Sequence, residues 1–169
     1  MKYLVSELFD LVEKQKTKEE KINLLRQNGE LITKAVLHMN YEGNVKFLLP
    51  EGEPPFKKEK DQPMGYQTTT LNLELRRFYI FFQEDMNVSK AKREALFINM
   101  LEGLHWTEAE LLCFVKDKNL ESKYPSLTLE LVMEAFPDMA FANPLKKEPP
   151  PKKSSVKKSK KVLEVQLQE

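Results

Sequence analysis

The chain has 169 residues, 41% of them apolar and 31% charged, with a formal net charge of +1. That length bounds it at one core-forming domain with room for a tail, and the high charged fraction points to a core diluted by a segment that cannot fold. A single cysteine, Cys113, excludes an internal disulfide, and nothing argues for an oxidising compartment.

No apolar run approaches the length of about 18 residues that a membrane span needs. Glu7, Asp10 and Glu13 interrupt the first apolar stripe, so it does not read as a signal peptide. The expectation is a soluble, intracellular protein. Val5, Leu8, Phe9 and Val12 recur at i, i+3, i+4 and i+7, with Leu4 and Leu11 widening the stripe, which predicts an amphipathic helix over 2–15. Thr17 and Glu20 form a capping-box pattern that opens a second helix to about 28, with Ile22 and Leu25 inward and Gly29 at its end. Ile32, Ala35, Val36 and Met39 predict a third helix over 30–40, closed by Gly43.

The next stretch differs in kind. Pro50, Pro54, Pro55 and Pro63, with Gly52 and Gly65, exclude helix and central strand, and predict a long Pro-rich loop of the functional or mobile sort. Leu71, Leu75, Phe78, Tyr79 and Phe82 return to helix spacing over 70–83. Ser89 caps a helix to about 102 with Ala91, Ala95, Ile98 and Leu101 inward. Thr107 and Glu110 suggest another capping box, opening a helix to about 117 on Leu111, Leu112 and Val115. Thr128 caps a last helix, with Leu129, Val132, Met133 and Phe136 inward and Pro137 as its stop. The fold class is therefore all-α: an orthogonal bundle of six to seven short helices over residues 1–142.

Beyond Ala142 the composition changes. Residues 143–161 hold eight lysines (Lys146, Lys147, Lys152, Lys153, Lys157, Lys158, Lys160 and Lys161) against one acid, a balance of +7. Residues 162–169 carry −2, which leaves −4 for residues 1–142. Such a lysine-, proline- and serine-rich stretch predicts a disordered basic tail. It ends in a short amphipathic peptide whose apolar members are Val162, Leu163, Val165 and Leu167.

The runs Asn44-Val-Lys-Phe-Leu-Leu-Pro-Glu-Gly-Glu-Pro-Pro-Phe-Lys, Leu75-Arg-Arg-Phe-Tyr, Leu104-His-Trp-Thr-Glu-Ala-Glu-Leu-Leu, Lys116-Asp-Lys and Leu127-Thr-Leu-Glu-Leu-Val-Met-Glu-Ala-Phe-Pro are carried by about residues 30–140. They resemble a functionally uncharacterised family of small proteins of tailed bacteriophages. The resemblance implies a phage setting, hence the host cytoplasm or the virion. It implies no activity.

The chemistry-bearing residues are sparse. His38, His105 and Cys113 lack the paired spacing of a zinc site, and no phosphate loop or nucleophile motif occurs. No metal, cofactor, small-molecule substrate or membrane partner is expected, and the reading is non-enzymatic. Cys113 between Leu112 and Phe114 reads as a core residue, and Glu108 and Glu110 as acids favoured in a helix's first turn. The lysine tail carries the functional signal, because lysines that neutralise phosphates release counterions and bind DNA or RNA without reading sequence. Its plain alternative is a solubilising arm. Lys90, Lys92 and Arg93 open a helix at the end where cations are disfavoured, and extend the candidate basic surface. For a protein partner the candidates are Phe47, Leu48, Pro54, Pro55, Phe56 and Trp106, with Val162, Leu163, Val165 and Leu167. The leading expectation is a non-catalytic accessory protein that binds a phage or host protein of DNA replication or transcription. The alternative is a virion structural or assembly component docked through the Pro-rich loop and the last peptide.

Overall fold

In the computed structural model, which describes residues 3–84 and 87–145, the chain folds as an all-α bundle. Its α-helices are α1 (Val5–Lys14), α2 (Lys18–Asn28), α3 (Leu31–Tyr41), α4 (Leu71–Glu74), α5 (Lys90–Gly103), α6 (Trp106–Lys116), α7 (Leu120–Lys123) and α8 (Leu129–Ala135). A 3-10 helix, Leu75–Phe81, continues α4 directly. Among the described residues there is no strand, only an isolated antiparallel bridge between Glu42 and Pro144. Residues 45–70 form no regular element.

Helix α6 is the hub. It packs against α1, α3, α5 and α7, while α2 packs against α1 and α8. Ala109, Leu111, Leu112 and Val115 are all fully buried on it. Three predicted caps form as the sequence indicates: Thr17 with Glu20 on α2, Ser89 on α5 and Thr128 on α8. The fourth does not. Helix α6 starts two residues earlier than a Thr107 cap would place it, at Trp106, and the ring of its cap, His105, accepts from the Thr107 N–H instead. Glu110 pairs with Lys58 and Lys123.

Two inner faces differ from the periodicity. The segment expected as one helix over 70–83 tightens after Glu74 into three-residue turns, which put Phe78 and Phe81 on the same inward side. Tyr79 faces out and Phe82 is only half-buried, against expectation. Arg93 fixes this end from α5, its guanidinium donating to Ile80 O at 2.9 Å and Gln83 O at 3.1 Å. On α5 itself Phe97, Met100 and Leu101 turn inward with Arg93, and Ala91 and Ala95 are exposed. The larger side chains win because burial energy scales with apolar area, and an alanine has little of it to bury. α7 has no apolar period long enough to predict; the buried Asn40 side chain accepts from the Leu120 N–H at its first residue.

Gly29 ends α2 with an ordinary φ of −77°, so the glycine is needed for space and not for conformation. A Cβ there would lie 2.3 Å from Cζ of Phe136, which α8 drives against it.

The most consequential buried group is the carboxylate of Glu108, in the first turn of α6. It is fully buried and accepts from the Val5 N–H at 3.3 Å and the Leu71 N–H at 3.2 Å. Those residues open α1 and α4, so one side chain satisfies the ends of two other helices while standing at the start of its own. Burial pushes its pKa above the usual carboxylate range, more than the two N–H bonds pull it down. Replacing Glu108 with Gln turns one acceptor into a donor facing an N–H. We expect E108Q to lose about 1–3 kcal/mol of stability, read as a lower urea midpoint with an unchanged slope, and E108A, which orphans both donors, to lose more.

Candidate functional site

The last described residues, 141–145, which precede the lysine-rich stretch of the sequence, are held at a built junction. At the C-terminal end of α3, Glu42 is buried, and its carboxylate accepts from the backbone N–H groups of Asn44, Ala142 and Asn143 at 3.1, 2.7 and 3.0 Å. Those bonds, led by the one from Asn44, hold its pKa below the usual range. Main-chain bonds complete the pairing: Gly43 N–H donates to Asn143 O at 2.7 Å and Leu145 N–H to Tyr41 O at 2.8 Å. Gly43 is a glycine because a Cβ there would come within 2.8 Å of that same Asn143 oxygen. Phe141 stacks on His38 with ring centroids 5.5 Å apart. Residues 141–145 are therefore part of the body.

Lys118 holds the junction from the other side. Its ammonium donates to Met39 O and, at 2.9 Å, to Glu42 O, carbonyls at the end of α3. It does so from a left-handed backbone, φ 55°, the only such non-glycine residue among those described. Lys118 and Asn119 donate to Val115 O and Phe114 O, the paired bonds that close a helix when the residue after its cap is left-handed. Glycine is usual there; lysine accepts about 1 kcal/mol of strain and gains the reach to cap a second helix.

Beside this junction lies an apolar groove of about 650 Å³ between α3, residues 44–48 and the 3-10 helix. Ala35, His38 and Met39 form one wall, Val45 and Leu48 another, and Leu75, Phe78 and Phe82 the third. Leu31 at its end is 73% exposed, a large apolar side chain left in water. Met139, just before the arm root, also lines it.

The residues singled out from sequence fall in several places. Leu48 lines the groove, and its N–H donates to Phe81 O. Phe47 is half-buried, edge-on to Phe82 with centroids 4.6 Å apart. Pro54 and Pro55 line a separate cavity of about 260 Å³ over Phe97 and Ile98. Phe56 is half-buried under Lys58, and Trp106, also half-buried, lies under Lys60. Lys90 and Lys92 are exposed on α5; Arg93 is buried, with its guanidinium committed to the carbonyls of Ile80 and Gln83. The lysines from Lys146 to Lys161, and Val162, Leu163, Val165 and Leu167, lie outside the described residues. Cys113 is buried, and burial raises its thiol to about 12. Among the described residues no group of three or more His, Cys, Asp or Glu is placed to hold a metal ion, and no helix is long and apolar enough to cross a membrane. Sequence reasoning missed Glu42 and Lys118; the available signal was Asp117-Lys118-Asn119 between two helices with no glycine to turn the chain.

Residues 8–122 match the model of a family of unknown function (DUF6433). No curated protein and no solved structure matches.

Burial lowers the Lys118 pKa from 10.5 to about 8. The folded chain thus sheds this proton before the unfolded chain does, so stability from this site rises with pH between about 8 and 10.5. Against a Lys118→Met variant, which cannot titrate, the wild type should gain about 1 kcal/mol across that window, read from urea midpoints at both ends. A Lys118→Gly variant should exceed Lys118→Ala in stability by about 1 kcal/mol, the left-handed strain alone.

Proposed function

The chain belongs to the DUF6433 family, and we propose that it is a non-catalytic accessory protein which docks a protein partner in the α3 groove and holds nucleic acid with its lysine arm. In this reading it serves the replication or transcription machinery of a bacteriophage, in the host cytoplasm. The observation that carries it is the rooting of the arm: residues 141–145 are fastened to the body beside the one strongly apolar groove described above. An arm that only kept the protein in solution would need no such fastening.

The non-catalytic part is supported by what the buried charges of the body do. Buried Glu42, Glu108, Arg93 and Lys116 each bond main-chain groups, N–H for the acids and carbonyl oxygen for the bases. Half-buried Lys118 and exposed Arg26 do the same, while buried Glu74 accepts from the Thr69 hydroxyl and from Arg77. Their polar atoms are engaged in holding helix ends and loops, which leaves little reason to assign them to a reaction. The nucleic-acid part is supported by charge, with eight lysines in residues 146–161 on a body that is net acidic. Lys90 and Lys92 extend that basic character to an exposed face of α5.

The test is duplex DNA binding followed by anisotropy over a salt series, with the full chain and a chain ended after Leu145. The full chain should bind at low salt, with log K falling linearly in log salt at a slope of about −0.9 per phosphate neutralised. The shortened chain should lose this binding while keeping its thermal midpoint, because its last residues remain fastened by Glu42. Equal binding by the two chains would remove nucleic acid from the proposal.

A further inference from the structure

The groove has an occupant of the right chemistry within the same chain. We propose that the segment Val162–Gln168 docks in the α3 groove of its own molecule, where a partner of higher affinity would displace it. This rests on the reading of the groove as a docking site and names what fills it first.

Three observations carry the assignment. The first is composition. Between Lys146 and Lys161 the arm offers one apolar side chain other than proline, Val156, whereas Val162-Leu-Glu-Val-Gln-Leu offers four in six residues. Leu163 and Leu167 stand four apart, the spacing that places two side chains on one face of a helical turn, as a groove-bound peptide requires. A groove of about 650 Å³ suits a few such side chains and is too small for a long helix.

The second is charge. Lys34 and Lys46 line the groove, with Glu84 as the one acid there, and Lys34 is already paired with Asp138. Residues 146–161 carry the same sign as Lys46, while residues 162–169 carry −2. Of the whole arm, this segment alone combines apolar side chains with the opposite charge.

The third is reach. The described chain ends at Leu145, bonded to Tyr41 O at the end of α3, the helix whose His38 lines the groove and stacks on Phe141. Residues 146–161, sixteen in number, span up to about 50 Å when extended, well beyond the roughly 15 Å radius of gyration of a body this size. A tether of that length gives an effective concentration of about a millimolar, so a segment whose free-peptide affinity is only about 1 mM is held roughly half the time. Weak contacts therefore suffice for docking, and a partner of ordinary micromolar affinity displaces the segment.

The experiment uses the full chain with a spin label on a cysteine introduced by Gln168→Cys. Cys113 is buried with its thiol held at about 12, so labelling is directed to the new site. Paramagnetic broadening is read at the methyl groups of Ala35, Val45 and Leu75 in the groove, and of Leu11 and Leu24 on α1 and α2 as references. Docking predicts that the groove methyls lose most of their intensity, because a segment held about half the time in rapid exchange averages in the strong broadening of the docked state, while the references keep theirs. The loss should be reversed in a labelled chain that also carries Leu163→Asp and Leu167→Asp, which keeps every lysine. Broadening that is absent, or equal at groove and reference methyls, overturns the proposal. So does broadening that persists undiminished when labelled chains without isotope are mixed with unlabelled enriched chains, because the segment then seats in a second copy. Neither result touches the DNA-binding test, which depends on the lysines alone.

Discussion

Every short helix brings a cost that this fold meets in one way throughout. A helix leaves its first N–H and last C=O groups without partners, and the fewer its turns, the larger the fraction of its backbone that is left so. Two of the helices here have only four residues, and none exceeds fourteen. Glu108 supplies the key partner, a carboxylate inside the core that receives the first N–H of α1 and of α4. Without it two helix starts would lie buried with unsatisfied donors, each worth about 1–3 kcal/mol. Cations do the corresponding work at carbonyl ends. Arg26 reaches from α2 to Glu134 O and Ala135 O on α8, Arg93 closes the 3-10 helix, and Lys118 closes α3.

This changes the meaning of the high charged fraction. In the sequence it points to a basic tail diluting an ordinary core, and the tail does hold eight lysines. Yet Glu108, Glu42, Arg93 and Lys116 are buried in the body itself. They are the connectors between helices too short to satisfy themselves. Charge in this chain is partly architecture.

What could be read in advance follows from range. The apolar faces of α1, α2, α6 and most of α8 are set by spacing within each helix, and they emerged from periodicity. Caps made by a residue on its own helix, at Thr17, Ser89 and Thr128, were legible for the same reason. Apart from the His105 cap of α6 and the inner face of α5, failures come where a partner lies far along the chain. The 3-10 turn at Phe78 and Phe81 has Arg93 at its end, and α7 begins at an N–H taken by Asn40. Glu108 reads as an acid at home in a first turn; that is true, but its two acceptor bonds reach 103 and 37 residues away. The candidate site was legible only as pieces. Leu48 and the lysines stood out by type, but the groove requires α3 to lie beside the 3-10 helix, and no local pattern encodes that contact.

The junction at Glu42 shows such long-range connectors at work where the described chain ends. Glu42 takes two amides of the 142–143 segment and one of its own loop, and Lys118 pins the carbonyl of Glu42 itself. On the proposal that Val162–Gln168 docks in the groove, fastening residues 141–145 shortens its tether. Effective concentration falls roughly as the −3/2 power of tether length, so on that proposal each residue taken into the body would raise the frequency with which the segment meets the groove. The fastened residues also touch the groove wall, since Phe141 stacks on His38, which lines it. A strained lysine in place of glycine at position 118 fits the same logic. The left-handed turn costs stability that glycine would spare, and what is gained is a cation at the point where the α3 helix, the arm root and the groove meet.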